Sequence, residues 1–86
     1  MRAFFIRFLL IFAAIFIEDA EQNIVKISFR SKGTFSVNQF SRNHFSGGGH
    51  DNAAGGKSEE SMQETITNFT SLLSEYQSDL ETAYED

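Results

Sequence analysis

Eighty-six residues hold one domain and one core, and a chain of this size hides only about 60–65% of the surface its unfolded form exposes. The absence of Cys excludes disulfides, thiolate nucleophiles and cysteine zinc sites together, so stability has to come from ten Phe residues and their aliphatic neighbours. The net charge of −5 argues against an anionic ligand only as a chain average.

The charge is unevenly spread. From Lys26 to Lys57 the basic residues Lys26, Arg30, Lys32, Arg42 and Lys57 stand against Asp51 alone, a local charge of +4. From Glu59 to Asp86 eight acidic residues meet no Lys or Arg, giving −8, and residues 1–25 contribute −1. The middle segment is therefore the part suited to an anion, and the acidic end reads as a solvated helix face and tail.

Ala3 to Ile17 is apolar apart from Arg7. The run is too short and too charged for a transmembrane helix, which needs about 20 apolar residues. As a secretory signal it lacks a good cleavage site, since cutting after Ala20 or Ala14 puts Glu18 or Phe12 where a small neutral residue belongs. A strand near 8–17, buried on both faces, fits best, with residues 1–12 an apolar extension or the start of that strand. The polar stretch Glu18–Asn23 is a hairpin loop. In the second strand, near 24–30, Val25, Ile27 and Phe29 alternate with Lys26, Ser28 and Arg30, so one face packs and the other sets a hydroxyl between two cations.

Ser31-Lys32-Gly33-Thr34 is a turn. A short helix near 36–45 follows, with Ser36 at the N-cap and Gln39 at capping-box spacing. Gly47 stops it, and residues 46–50 form a glycine-rich loop. Asp51 to Ala54 can open another short helix. A final amphipathic helix near 59–80, capped by Ser58 or Ser61, carries the stripe Met62, Ile66, Phe69, Leu73, Tyr76 and Leu80. The whole is a small α/β (α+β) domain over residues 13–77, ending in an acidic tail at 78–86.

Chemistry concentrates in Gly47-Gly48-Gly49-His50-Asp51-Asn52-Ala53-Ala54-Gly55-Gly56. Glycines let the backbone approach a ligand, successive N–H groups can nest an anion, and a helix start at Asp51 would add its dipole. His50 can donate to a phosphate oxygen, and Arg30 suits a bidentate phosphate clamp. The bland alternatives are a flexible connector, a surface ion pair for Arg30 and a loop-holding hydrogen bond for His50. No established phosphate-loop spacing is present.

Ser28-Phe29-Arg30-Ser31, a short helix, and then Gly47-Gly48-Gly49-His50-Asp51-Asn52-Ala53-Ala54-Gly55 together resemble the DHH-associated C-terminal domain of DHH-family phosphoesterases. The nano-RNases, oligoribonuclease and phosphoadenosine-phosphate phosphatase, are the nearest of these. The likeness runs from about Ala14 to Tyr76. It implies a substrate-binding domain that closes over a metal-bearing catalytic domain, with Arg30, Gly47, Gly48, Gly49 and His50 at the substrate and Ser28 and Asn52 as weaker candidates. His44 has no place in that motif and reads as a helix-surface or half-buried residue. The implied partners are short single-stranded RNA or a nucleotide phosphate and the DHH catalytic domain. Self-association is expected if the N-terminal apolar strand lies uncovered, a cytoplasmic location is expected, and a membrane is not expected as a partner.

The Asp-His-His motif of the family's catalytic domain does not occur here, and the only histidines are His44 and His50. The resemblance therefore places Mn or Mg in the catalytic domain, with no cofactor, metal ligand or catalytic residue in this chain. It is read as a fragment, or as the product of a gene without its upstream half, that binds without cleaving. The alternative is a secreted or membrane-associated interaction protein that uses the apolar N-terminal segment.

Overall fold

The computed structural model describes residues 3–8 and 12–85. In chain order the elements are β1 (Ala3–Phe8), β2 (Phe12–Asp19), β3 (Ile24–Ser31), α1 (Val37–His44), β4 (Gly48–His50), β5 (Ala53–Ser58), α2 (Met62–Glu75) and α3 (Gln77–Glu85). The strands form one sheet in the order β1-β2-β3-β5-β4, antiparallel at every junction. Buried side chains from α1, α2 and α3 join those of the sheet in a single core. This is the expected α+β class, and its details depart from the sequence reading in several places.

The apolar N-terminal run is a hairpin, not one strand: β1 pairs with β2 from Ala3↔Ile17 to Phe8↔Phe12. An unbroken apolar run carries no alternation to mark where it folds back. Residues 1, 2 and 9–11 of the expected extension lie outside the described residues. Nor is β2 buried on both faces. Phe12, Ala14 and Phe16 are buried, whereas Ile15 and Ile17 are 39% and 38% exposed.

The helix expected from Asp51 does not form. Asp51 and Asn52 make a turn, Ala53 enters β5, and Gly48–His50, expected as loop, is the strand β4 paired with it. Position 54 is an Ala buried against the core, and the two faces alternate from there with period two. With no helix starting here, a helix dipole contributes nothing at this loop.

The C-terminal helix is two helices. Ser61 caps α2, its Oγ accepting from the Glu64 N–H at 3.1 Å and donating to Glu64 Oε1 at 3.2 Å. The break falls at Tyr76, whose ring meets Phe40 edge-on at 5.1 Å and Phe35 at 5.8 Å, while its hydroxyl lies 2.7 Å from His44 Nε2. The residues from 78 onward, expected as an acidic tail, continue as α3 through Glu85, and Leu80 is fully buried.

At the centre of the core Phe12, Phe29, Phe40 and Phe69 touch one another in all pairings, with ring centroids 5.4–6.1 Å apart. Each comes from a different element, β2, β3, α1 and α2, so the four rings tie both helices to the sheet. Phe69→Ala should lower stability by about 3–5 kcal/mol, as large-to-small core changes do. Ile15→Ala, on the uncovered face, should cost about 1 kcal/mol or less. Urea unfolding of both variants checks the contrast, and equal losses would contradict the one-sided core.

Candidate functional site

Helices cover one face of the sheet, and the opposite face is open. Alternation sends Val25, Ile27 and Phe29 of β3 into the core and leaves Lys26, Ser28 and Arg30 exposed. Directly paired residues of antiparallel strands share a face, so the register extends these positions across the sheet. Arg30 pairs with Ala53, which pairs with His50. Ser28 pairs with Gly55, which pairs with Gly48. Lys26 pairs with Lys57. A cationic row and a second cationic row thus flank a strip whose only side chain beyond hydrogen is the Ser28 hydroxymethyl. A depression of about 610 Å³ follows this strip, lined by Lys26, Ser28, Gly48, Gly55 and Lys57 among others.

Of the residues picked from sequence, Ser28, Arg30, Gly48 and His50 therefore come together on this face. Arg30 Nη1 donates to the Phe29 carbonyl at 3.0 Å, which uses one of five guanidinium donors. Among the described residues no carboxylate pairs with Arg30, and the exposed His50 ring makes no hydrogen bond. Asn52 is placed differently. Its Nδ2 donates to Ser31 Oγ at 2.9 Å and to the Gly33 carbonyl at 3.3 Å, tying the β4–β5 turn to the end of β3. Asp51 braces the same corner by accepting from Ser36 Oγ at 3.1 Å.

The glycines divide by what surrounds them. A Cβ on Gly47 would overlap the Gly55 carbonyl oxygen and stand 2.6 Å from Ser41 Oγ. Packing therefore demands glycine there. The helix stop before it does not use Gly47, because the left-handed residue is Ser46, at φ 52°. A Cβ on Gly55 would meet nothing nearer than the Ile27 carbonyl oxygen at 3.7 Å. Nothing in the fold needs Gly55 to be glycine, and a glycine inside a strand weakens it unless something must come close.

Gly55, Lys26 and Lys57 share this face and are not among the residues picked from sequence. Gly55 was indistinguishable there from its glycine neighbours, and Lys57 meets Lys26 only through the register. Lys26 is held by Asp19, with Nζ to Oδ2 at 3.2 Å. The Gln22 backbone N–H, and then Lys26, keep the Asp19 carboxyl below its ordinary 3.8. A second cavity of about 440 Å³ lies between α1 and α3, but Asp51 and Asp79 line it, the wrong sign for a phosphate. Among the described residues no group of three His, Cys, Asp or Glu is placed to hold a metal ion.

Comparison with known proteins agrees with this architecture. The DHHA1 domain model matches residues 11–79, and the chain belongs to that family of DHH-associated domains. Among solved structures it is similar to an exopolyphosphatase-related protein from Bacteroides fragilis, with 38% identity and a TM-score of 0.77. The match covers 84% of this chain and 21% of that one, so the chain spans about a fifth of the relative's length. No curated protein matches it.

The two kinds of glycine give opposite expectations for one substitution. Gly47→Ala should destabilise by about 1–3 kcal/mol through overpacking. Gly55→Ala should be neutral or stabilising by up to about 1 kcal/mol. Thermal or urea midpoints of the pair check this, and a Gly55→Ala loss matching that of Gly47→Ala would mean that Gly55 too is a packing residue.

Proposed function

We propose that this chain is the phosphate-binding half of a DHH-family phosphoesterase acting on short single-stranded RNA or a nucleotide, with a DHH catalytic domain as its partner. The observation that supports it most is the row Arg30–Ala53–His50 on the uncovered face of the sheet, beside Gly55, which nothing in the packing requires to be glycine. Family membership and the relative described as exopolyphosphatase-related both favour a phosphate-bearing ligand.

The chemistry of each residue follows from its place. The Arg30 guanidinium offers a planar fork of donors to two phosphate oxygens. His50, across Ala53, donates a ring N–H to a third. Ala53 between them is small, so the phosphate reaches both. The Gly55 and Gly48 strip lets the sugar–phosphate backbone lie against the sheet, and the Ser28 hydroxyl can donate from the middle of it. Asn52 serves this site indirectly, by fixing the turn that carries His50. Gly47 and Gly49 set the course of β4 and need not touch the ligand.

Hydrolysis belongs to the partner domain in this reading. Metal-assisted attack on a phosphodiester needs clustered carboxylate and histidine ligands, and Mn or Mg would be held by the DHH domain. The contribution of this chain is to seat the ligand so that the scissile phosphate faces that metal. Among the described residues no helix is long and apolar enough to cross a membrane.

Arg30→Ala and His50→Ala should each weaken binding of the 5′-phosphorylated dinucleotide pApA by about tenfold or more, the range for hydrogen bonds to charged groups. Gly55→Val should fold and yet fail to bind. Calorimetric titration of the four proteins checks this, with circular dichroism to confirm the fold. Wild-type affinity in all three variants would exclude the open face as the binding surface.

A further inference from the structure

The β3–β5 register puts Lys26 directly opposite Lys57. Both side chains lie on the open face, since Val25 and Ile27 flank Lys26 in the core, and a Cβ on Gly56, beside Lys57, would run into Ser41 and Phe45. Like charges directly opposite on neighbouring strands destabilise a sheet, where an opposite-charge pair would support it. Asp19, the last residue of β2, offsets one of the two charges through its 3.2 Å contact with Lys26. No carboxylate among the described residues pairs with Lys57. The acidic side chains nearest it in the chain, Glu59 and Glu60, line with it a different cavity, bounded also by His44, Asn68 and Leu72.

This second cationic row stands four residues along β3 from Arg30, about 13 Å at a strand rise near 3.3 Å per residue. A phosphate hydrogen-bonded at about 2.7–2.9 Å to both Arg30 and His50 sits over Ala53, between those two residues and not over the Lys26–Lys57 row. Between the rows lies the bare strip of Gly55 and Gly48 with Ser28 at its side, and the depression that starts on it takes in the two lysines and runs on to Ile24 and Gln22.

We propose that Lys26 and Lys57 form a second anion subsite, reached by a ligand that crosses the Gly55 floor from the Arg30–His50 row. The inference rests on the proposed phosphate site and specifies its substrate class. The ligand is an oligoribonucleotide long enough to place a further phosphate about 13 Å along the strand direction, and a mononucleotide or dinucleotide fills only the first row. Swinging toward a phosphate, Lys26 exchanges its Asp19 partner for the ligand, and Lys57 gains a counter-ion it lacks among the described residues. A charged groove with a flat, sequence-blind floor is the arrangement that tracks a single strand without reading bases.

The test compares pApA with the tetranucleotide pApApApA on the wild-type chain and on Lys57→Ala, Lys26→Ala and Arg30→Ala, by calorimetry at several salt concentrations. Lys57→Ala should weaken the tetranucleotide about tenfold and leave the dinucleotide within about twofold. The slope of log affinity against log salt for the tetranucleotide should fall by about 0.7, the value for one lost phosphate contact on a single strand. Lys26→Ala should act in the same direction and less strongly. Linear polyphosphate of matched charge is the control for ligand source. If it shows the same Lys57 dependence, the subsite recognises phosphate chains in general; if it shows none, recognition requires the nucleotide spacing. Should Arg30→Ala weaken both ligands while Lys57→Ala changes neither, the second subsite is excluded and the first stands. Equal weakening of both ligands by Lys57→Ala also overturns it, by merging the two rows into one site. No effect of Arg30→Ala on either ligand removes the anchoring site and the inference with it.

Discussion

The Ser41 hydroxyl, on a fully buried side chain of α1, donates to the Gly55 carbonyl at 2.6 Å, and the open face takes its shape from that bond. A buried hydroxyl without a partner would cost about 1–3 kcal/mol, so α1 has to sit where the carbonyl is. That position brings the helix against the outer strands, close enough that a side chain at Gly47 would collide with the strand next to it. The Phe45 carbonyl then accepts from the Lys57 N–H at 2.8 Å, and Gly49 N–H donates to Asn38 Oδ1 at 3.0 Å. Between them these contacts pin β4 and β5 to the helix side of the sheet, and whatever β4 and β5 carry outward is left uncovered.

The aromatic core acts on the same geometry from the other direction. Rings from β2, β3, α1 and α2 close on one another over one face only. An uncovered sheet face on an antiparallel sheet is ordinary when its residues are polar. Here half of it is polar or bare, from β3 to β4, and half carries Ile15 and Ile17 on β2. The positive segment of the chain supplies the polar half, while the acidic segment is built into α2 and α3 on the opposite side. Fold and charge thus separate the two signs that the net charge of −5 merges.

Legibility in the sequence followed locality. The alternation of Val25 to Arg30 has period two and predicts both the strand and its cationic face, and Ser36 and Ser61 carry caps that the structure shows bonded as their spacing requires. The helical stripe from Met62 to Leu80 was readable as core, yet the break at Tyr76 was not, because residues on either side of it still face inward at helical intervals. The segment from Gly48 to Ser58 was the least legible. Glycine and alanine carry no hydrophobic rhythm, and β4 and β5 exist because β3 offers an edge and α1 offers a hydroxyl, both distant in sequence. That is also why the motif yielded Arg30 and His50, while Gly55 and Lys57 needed the register to join them. Asn52 shows the reverse: its side chain type suited a ligand, and the structure commits its amide hydrogens to Ser31 and Gly33.

The central claim is that the uncovered face between β3 and β4, and no cavity on the helix side, is where phosphate binds. Amide chemical-shift mapping of the 86-residue chain during titration with pApA tests it most directly. Saturable shifts are expected at Ser28, Arg30, Gly48, His50 and Gly55, with residues around the α1–α3 cavity such as Gln39, Asn43 and Asp79 unmoved. Shifts centred on that cavity, or none at saturating ligand, would contradict it.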